Sequence, residues 1–407
     1  MTELGTSGGL ALKALCAVCL AGLALPAYRA AELAHLRVND AAAAYRIQPH
    51  DARALSKVLA ARLATDPSLR MGTQDRANLR AALIARPLSP ELLALAAVSR
   101  GGEGQEQAAQ DLMEAASKAS RRSASASLWL IEAASISGDI PAALKHYHAA
   151  LSVHTDLQPT LLPVLARAAT YAEVRSALRP YLARPAPWAG ALVDAALVHT
   201  RAGDLAALLT PLPPALQSIE YRARLGHVLE RLAIETSEKA VSRFASAVVP
   251  GFKPATLSTL AVSEQAIDPR LGRLAWSFPV SEGLVVEAAG DGTLQVTAQP
   301  LARGPAAVRD LVVTGGARYF LAQRVAFGPE AIKPGLTWYG ACVGRAGAEP
   351  AFWEQRVPGR DGATTYRSVF SVPEDCRVVR FTLSILGPDG QAAAVVHLNN
   401  FELSRAD

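Results

Sequence analysis

A chain of 407 residues, half of them apolar, is long enough for two or three domains and can bury a sizeable core, so it reads as globular. Its 41 basic and 36 acidic residues leave a net charge of +5 with no basic block beyond pairs such as Arg121-Arg122. That mixed surface gives no footprint for nucleic acid, and no nucleic-acid partner is expected.

The first 28 residues read as a membrane segment. From Ala14 to Ala27 there is no charge, and Lys13 is the single charge in the 19 residues from Leu10 to Tyr28. A cleaved secretory signal would need small residues at −3 and −1, and Gly22/Ala24 is the one fair pair. An uncleaved signal anchor is the favoured reading, with Lys13 reaching the inner interface and everything from Arg29 onward across the membrane. In a bacterium this describes a single-pass inner-membrane protein whose bulk lies in the periplasm. Cys16 and Cys19 fall inside the apolar run and read as small hydrophobes rather than a redox pair.

Residues 29–250 are rich in alanine and leucine, with helix breakers at Pro49, Pro67, Pro87, Pro90, Gly101–Gly104, Gly138, Pro185 and Pro187. Ser127 to Thr155 holds one complete helical hairpin. Leu128, Ile131, Ala134 and Ser135 precede Gly138, which suits a left-handed helix end; Asp139 can cap the next helix and Pro141 fits its first turn. Ala143, Tyr147 and Ala150 then line one face. The pair four residues apart recurs as Ala41/Tyr45, Asp75/Leu79, Ala109/Met113, Ala143/Tyr147 and Ala177/Tyr181, each step being 34 residues. Leu208/Leu212 and Ala240/Phe244 follow with slippage, Asp75 and Leu79 depart from the small-then-aromatic pattern, and Pro180 should kink its helix.

This pattern and its period resemble the tetratricopeptide repeat. The resemblance covers roughly residues 30–250 and implies a helical-hairpin solenoid that binds a partner protein, without a chemistry of its own.

At Val249-Pro250-Gly251-Phe252-Lys253-Pro254 the composition changes, and β-branched and aromatic residues begin to alternate with polar ones. Residues 251–272 read as a linker and 273–407 as an antiparallel β-sandwich of about ten strands, near 274–278, 284–288, 293–299, 307–313, 317–327, 336–344, 350–357, 364–372, 377–386 and 393–404. Tyr319, Leu321, Val325 and Phe327 share one parity, as do Val379, Phe381, Leu383 and Ile385, so both strands are one-sided. Cys342 and Cys376, an even pair beyond the membrane segment, read as a disulfide in an oxidising compartment.

The tryptophan-bearing stretch Leu274–Phe278, the strands at Thr293–Val296 and Ala317–Leu321, and the closing Val396–Leu403 resemble the jelly roll of carbohydrate-binding modules. Such modules stack aromatics on sugar rings, which makes Trp338, Tyr339, Trp353 and Tyr366 the candidates for glycan contact, each of them also eligible as a core aromatic.

Nucleophile elbows, zinc-binding HExxH, P-loops and dinucleotide fingerprints are absent from the sequence, so no catalytic, cofactor-binding or metal-ligating residue is nominated. His146, His148 and His154 cluster on one hairpin, but 146 and 148 point in different directions on a helix and read as surface histidines. Acidic pairs such as Glu282/Glu287 are too common to mark a glycosidase without geometry. The whole is a multidomain α plus β chain that resembles the repeat proteins of bacterial surface-polysaccharide systems. Two functions follow: a non-catalytic envelope scaffold with a protein partner and a possible glycan, or a glycan-modifying enzyme acting on the jelly roll.

Overall fold

The computed structural model describes residues 27–66, 70–329, 333–344, 346–390 and 392–406. All but the last two residues of the expected membrane segment lie outside them. Among the described residues no helix is long and apolar enough to cross a membrane. The chain is helical as far as Val248 and all-antiparallel β from Leu284, and it forms two compact units, one ending at Leu157 and the other spanning Gln158–Asp407.

The first unit holds helix α1 (27–39), α2 (Ala41–Ile47), α3 (Ala52–Thr65), α4 (Thr73–Ala85), α5 (Pro90–Gly101), α6 (Glu106–Ala119), α7 (Ala124–Ile136) and α8 (Ile140–Val153). Local chemistry sets the joints. Asp40, Asp51, Ser123 and Asp139 each accept a hydrogen bond from the backbone N–H three residues on, satisfying a donor that the first helical turn leaves open. Gly138, at φ 73°, ends the α7 turn in the left-handed region where a Cβ is unfavourable, and Asp139 starts α8 at once. The second member of each of the five pairs spaced 34 residues apart lands on an even-numbered helix, and Leu79, Met113 and Tyr147 are buried.

Two departures have physical causes. Asp75 replaces a small residue because its carboxylate accepts a hydrogen bond from the Tyr45 hydroxyl at 3.0 Å, one repeat earlier, while the Asn78 amide donates to the same hydroxyl at 3.2 Å. On α7 the buried face is Ser127, Leu130, Ile131 and Ala134; Leu128, expected on that face, is exposed.

The second unit opens with α9 (Gln158–Ala168), α10 (Ala172–Ala183), α11 (Ala189–His199), α12 (Ala202–Leu209), α13 (Arg222–Glu235) and α14 (Glu238–Val248). Helix α10 runs on through Pro180 to Ala183. Here the core positions are Leu178 and Leu182, fully buried, whereas Ala177 and Tyr181 one position earlier are half-buried. Bonds spanning one repeat tie the pairs together: Thr200 Oγ1 donates to the Ala166 carbonyl at 2.7 Å, and Ala202 N–H to Glu235 Oε2 at 3.1 Å.

Residues 251–272 pack onto the sandwich. Leu260, Val262 and Ala266 belong to its core cluster, and the buried guanidinium of Arg309 donates to the carbonyls of Thr256 (2.6 Å), Ala261 (3.2 Å) and Leu274 (3.1 Å). Burial pushes Arg309 down to about 9, still charged at neutral pH, and its charge lies 5.7 Å over the Trp276 ring. The turn at 269–274 meets α13 backbone to backbone: a Cβ on Gly226 would sit 2.8 Å from the Gly272 Cα. The tryptophan stretch 274–278 is not a strand; it joins the sheet through the single bridge Ser277–Val308.

Among the described residues nine strands follow: β1 (Leu284–Ala288), β2 (Leu294–Ala298), β3 (Arg303–Val312), β4 (Arg318–Phe327), β5 (Gly335–Gly344), β6 (Gly347–Val357), β7 (Ala363–Ser371), β8 (Val378–Leu386) and β9 (Ala394–Ala406). They form a five-stranded sheet, order β1-β2-β9-β4-β7, and a four-stranded sheet, order β3-β8-β5-β6, all pairs antiparallel. Side chains of both sheets meet in one core that includes Trp276, Val296, Leu321, Val325, Trp338, Phe381, Leu383, Leu398 and Phe401.

Candidate functional site

Strand alternation divides each sheet into a core face and an outer face. On β4 the residues Leu321, Gln323, Val325 and Phe327 are buried, so Arg318, Phe320, Ala322, Arg324 and Ala326 stand on the outer face of the five-stranded sheet. On β5 the residues Leu336, Trp338, Gly340 and Cys342 are buried, which puts Thr337, Tyr339, Ala341 and Val343 on the outer face of the four-stranded sheet.

The four aromatics singled out from the sequence go to three different places. Trp338 is fully buried, its Nε1 donates to Gln323 Oε1 at 2.9 Å, and its ring meets Trp276 and Phe401 at 6.3 and 6.2 Å. It has no ring face open to a sugar, which corrects its nomination: the parity that puts Leu336 and Cys342 inward also puts Trp338 inward. Trp353 is half-buried at the rim of the core, 4.8 Å from Phe370, and uses the space left by Gly340 opposite it, where a Cβ would come within 3.1 Å of its ring. Tyr366 packs against the same core and its hydroxyl donates to the Pro358 carbonyl at 2.5 Å. Tyr339 alone lies on an outer face, half-buried, opposite Thr382 on β8 and Glu354 on β6. Cys342 on β5 and Cys376 just before β8 are joined, with Cα atoms 5.6 Å apart, within the usual span of a disulfide.

The outer face of the four-stranded sheet is partly occupied within its own unit. A cleft of about 400 Å³ there is lined by Arg231, Glu235, Asp310 and Arg380 among others, and these four charges are paired: Arg380 with Asp310 at 2.7 and 2.8 Å, and Arg231 with Glu235 at 2.6 Å. The hydrogen bond to Asp310 raises the Arg380 pKa, as expected of a pair that is held ionised.

The outer face of the five-stranded sheet differs. Phe320 is 46% exposed and lies directly across from Val369 on β7, which is 42% exposed. On the other side Phe320 faces Ser404 of β9. Next along β4, Ala322 stands between Arg367 and Glu402, and Arg324 between Thr365 and Asn399. The small Ala322 leaves the middle of the strip open. Arg318, Phe320, Arg324, Arg367 and Glu402 are all exposed, and none of these four charged side chains is paired or hydrogen-bonded among the described residues. A large apolar ring on an exposed sheet face beside planar hydrogen-bonding groups is an arrangement that can stack on the apolar face of a hydroxyl-rich ligand. Sequence parity carried the signal: Phe320 is the one aromatic on β4 that shares its parity with Arg318 and Arg324.

His146 and His148 fall together on a groove of about 890 Å³ formed by α6, α7 and α8. Both are half-buried along the groove; burial, then the neighbouring Lys145, holds the His146 pKa below its ordinary value. Among the described residues no group of histidines, cysteines and carboxylates has the geometry of a metal site.

No protein family and no curated protein matches the chain. The sandwich is similar to several solved structures: a CBM4 structure at 12% identity, covering 32% of this chain and 94% of that one (TM-score 0.25), and a family 16 carbohydrate-binding module at 15%, covering 36% and 99% (TM-score 0.26). The CBM22-1 xylan-binding domain of Paenibacillus barcinonensis Xyn10C is similar at 14% identity, covering 32% and 85% (TM-score 0.22). At such identities and scores the likeness adds nothing to the two-sheet description above.

Proposed function

We propose that the protein is a non-catalytic glycan-binding component of a bacterial envelope, with its glycan site on the outer face of the five-stranded sheet. The observation that carries this reading is the Phe320–Val369 strip, an exposed apolar platform on a sheet face whose neighbours are unpaired charged side chains. Helices α1–α14, a solenoid of paired helices resembling tetratricopeptide repeats over 29–250, bind a partner protein, and residues 251–272 connect them to a jelly-roll sandwich at 273–407. The apolar segment 1–28 anchors the chain, and its bulk lies in the periplasm. The Cys342–Cys376 pair supports an oxidising compartment, and the combination of parts supports a role in exopolysaccharide or surface-polysaccharide assembly.

The enzyme reading is less well supported. Glu402 on β9 and Glu287 on β1 share the outer face, but two strand spacings and five residues along β9 separate them by about 19 Å, beyond the roughly 5–9.5 Å of paired glycosidase carboxylates. Affinity electrophoresis through gels containing a panel of bacterial and plant polysaccharides tests the proposal. Retardation by at least one polysaccharide, reduced at least about tenfold in affinity by Phe320→Ala, is expected, because burying a phenylalanine ring against the apolar face of a sugar is worth on the order of 1.5–3 kcal/mol. Retardation that Phe320→Ala leaves unchanged would move the site elsewhere.

A further inference from the structure

The geometry points to a polysaccharide that carries oxyanions, carboxylate or sulfate, as the ligand of the five-stranded sheet's outer face; this inference rests on the glycan-binding reading above. Three arginines surround the Phe320–Val369 strip. Arg318 and Arg324 lie on the same strand as Phe320, two residues before it and four after it, and Arg367 lies on β7 opposite Ala322. Arg324 and Arg367 are diagonal neighbours across the β4–β7 pair, with backbones about 7–8 Å apart, so two like charges stand side by side. Along β4, Arg318 and Arg324 span about 20 Å at the rise of a strand.

Several arginines elsewhere in this molecule are offset by acids: Arg37 pairs with Asp51, Arg224 with Asp194, Arg270 with Asp268 and Arg380 with Asp310. On this face the one central acid, Glu402, makes no pair with any of the three arginines, which therefore keep free guanidinium donors at the edges of an apolar platform. A guanidinium presents a planar fork that matches a carboxylate or sulfate with two parallel hydrogen bonds, and it is less strongly hydrated than an ammonium. A neutral polysaccharide would engage the ring and offer the arginines hydroxyl oxygens, but no opposite charge. One bearing oxyanions would satisfy both, with its sugar ring over Phe320 and its acidic groups toward Arg318, Arg324 and Arg367. Such a ligand has the charge and the flat apolar faces the surface asks for, whereas an acidic peptide has the charge alone.

Two matched pairs of probes separate charge from sugar: polygalacturonate with its fully methyl-esterified form, and dextran sulfate with dextran. Binding of the full-length protein in detergent is measured at two salt concentrations, with poly-L-glutamate as a charge-only control. The expected result is at least about tenfold tighter binding to an anionic member than to its neutral counterpart, weakened by salt. The double substitution Arg324→Gln with Arg367→Gln should remove that advantage, bringing the affinity for the anionic member down to that of its neutral counterpart, while Phe320→Ala weakens binding of both. The two pairs distinguish carboxylate from sulfate as the source of charge. Equal binding of charged and neutral members, unaffected by the double substitution, overturns the inference and leaves the glycan-binding reading intact. No binding to any of the four polysaccharides overturns the inference, and the glycan-binding reading falls with it only if the wider panel of polysaccharides also gives no retardation. Poly-L-glutamate bound as tightly as the anionic polysaccharides overturns the inference in favour of a face that recognises acidic chains in general.

Discussion

Tyr147 shows what a single position in the helical array contributes. It sits on α8 four residues after Ala143, is buried, and burial raises its hydroxyl pKa above the ordinary tyrosine value. Tyr147→Ala should therefore destabilise the protein by about 3–5 kcal/mol, the usual cost of removing a packed aromatic. His148 is a poor control because it lies half-buried on the groove with its Nδ1 3.5 Å from Ser152 Oγ. Ile136 at the end of α7 is 81% exposed, so Ile136→Ala should change stability by no more than about 0.5 kcal/mol. Denaturant melts of the two variants check the pair, and equal midpoints would contradict the placement of Tyr147. Arg309 makes the complementary point for the sandwich: one buried charge holds three carbonyls of the segment before it, and nothing in the alternation of β3 announced it. A buried arginine is visible only once its partners, 35 to 53 residues away in the chain, are brought beside it.

At the scale of elements, short-range chemistry was readable and long-range pairing was not. The caps at Asp139 and Ser123, the turn at Gly138 and the parity of β4 and β8 depend on residues within a few positions of one another, and each follows from local sequence. The register of α10 did not, because Ala177/Tyr181 and Leu178/Leu182 have the same spacing and only packing decides which faces inward. The stretch 274–278 has the alternation of a strand, yet it makes a single bridge because Arg309 and the turn at 269–274 fix its path instead. Likewise Trp338 and Tyr339 are adjacent aromatics, and the sequence offered both for glycan contact, although strand geometry can turn only one of them outward. The candidate site was legible as a fold with an exposed face; which face, and that its aromatic is Phe320, required the sheet order. The link between Cys342 and Cys376 belongs to this scale as well. It closes 34 residues of chain, and in the chain-entropy account it should stabilise the unit by about 3–4 kcal/mol. Thermal or urea melts with and without reductant should differ by that amount, and coincident curves would show that the closure contributes nothing.

For the whole molecule the central claim is that a sugar chain lies on the five-stranded sheet over Phe320. Among the nine phenylalanines of the chain, Phe320 is exposed while Phe244, Phe327, Phe370, Phe381 and Phe401 are buried. Fluorine NMR of protein labelled with fluorophenylalanine reads this directly, with the Phe320 resonance assigned by its loss in Phe320→Leu. On addition of a polysaccharide that the protein binds, the account predicts that the Phe320 signal shifts or broadens while those of Phe327, Phe370 and Phe381 stay in place. A bound polysaccharide that leaves the Phe320 signal unmoved would contradict it.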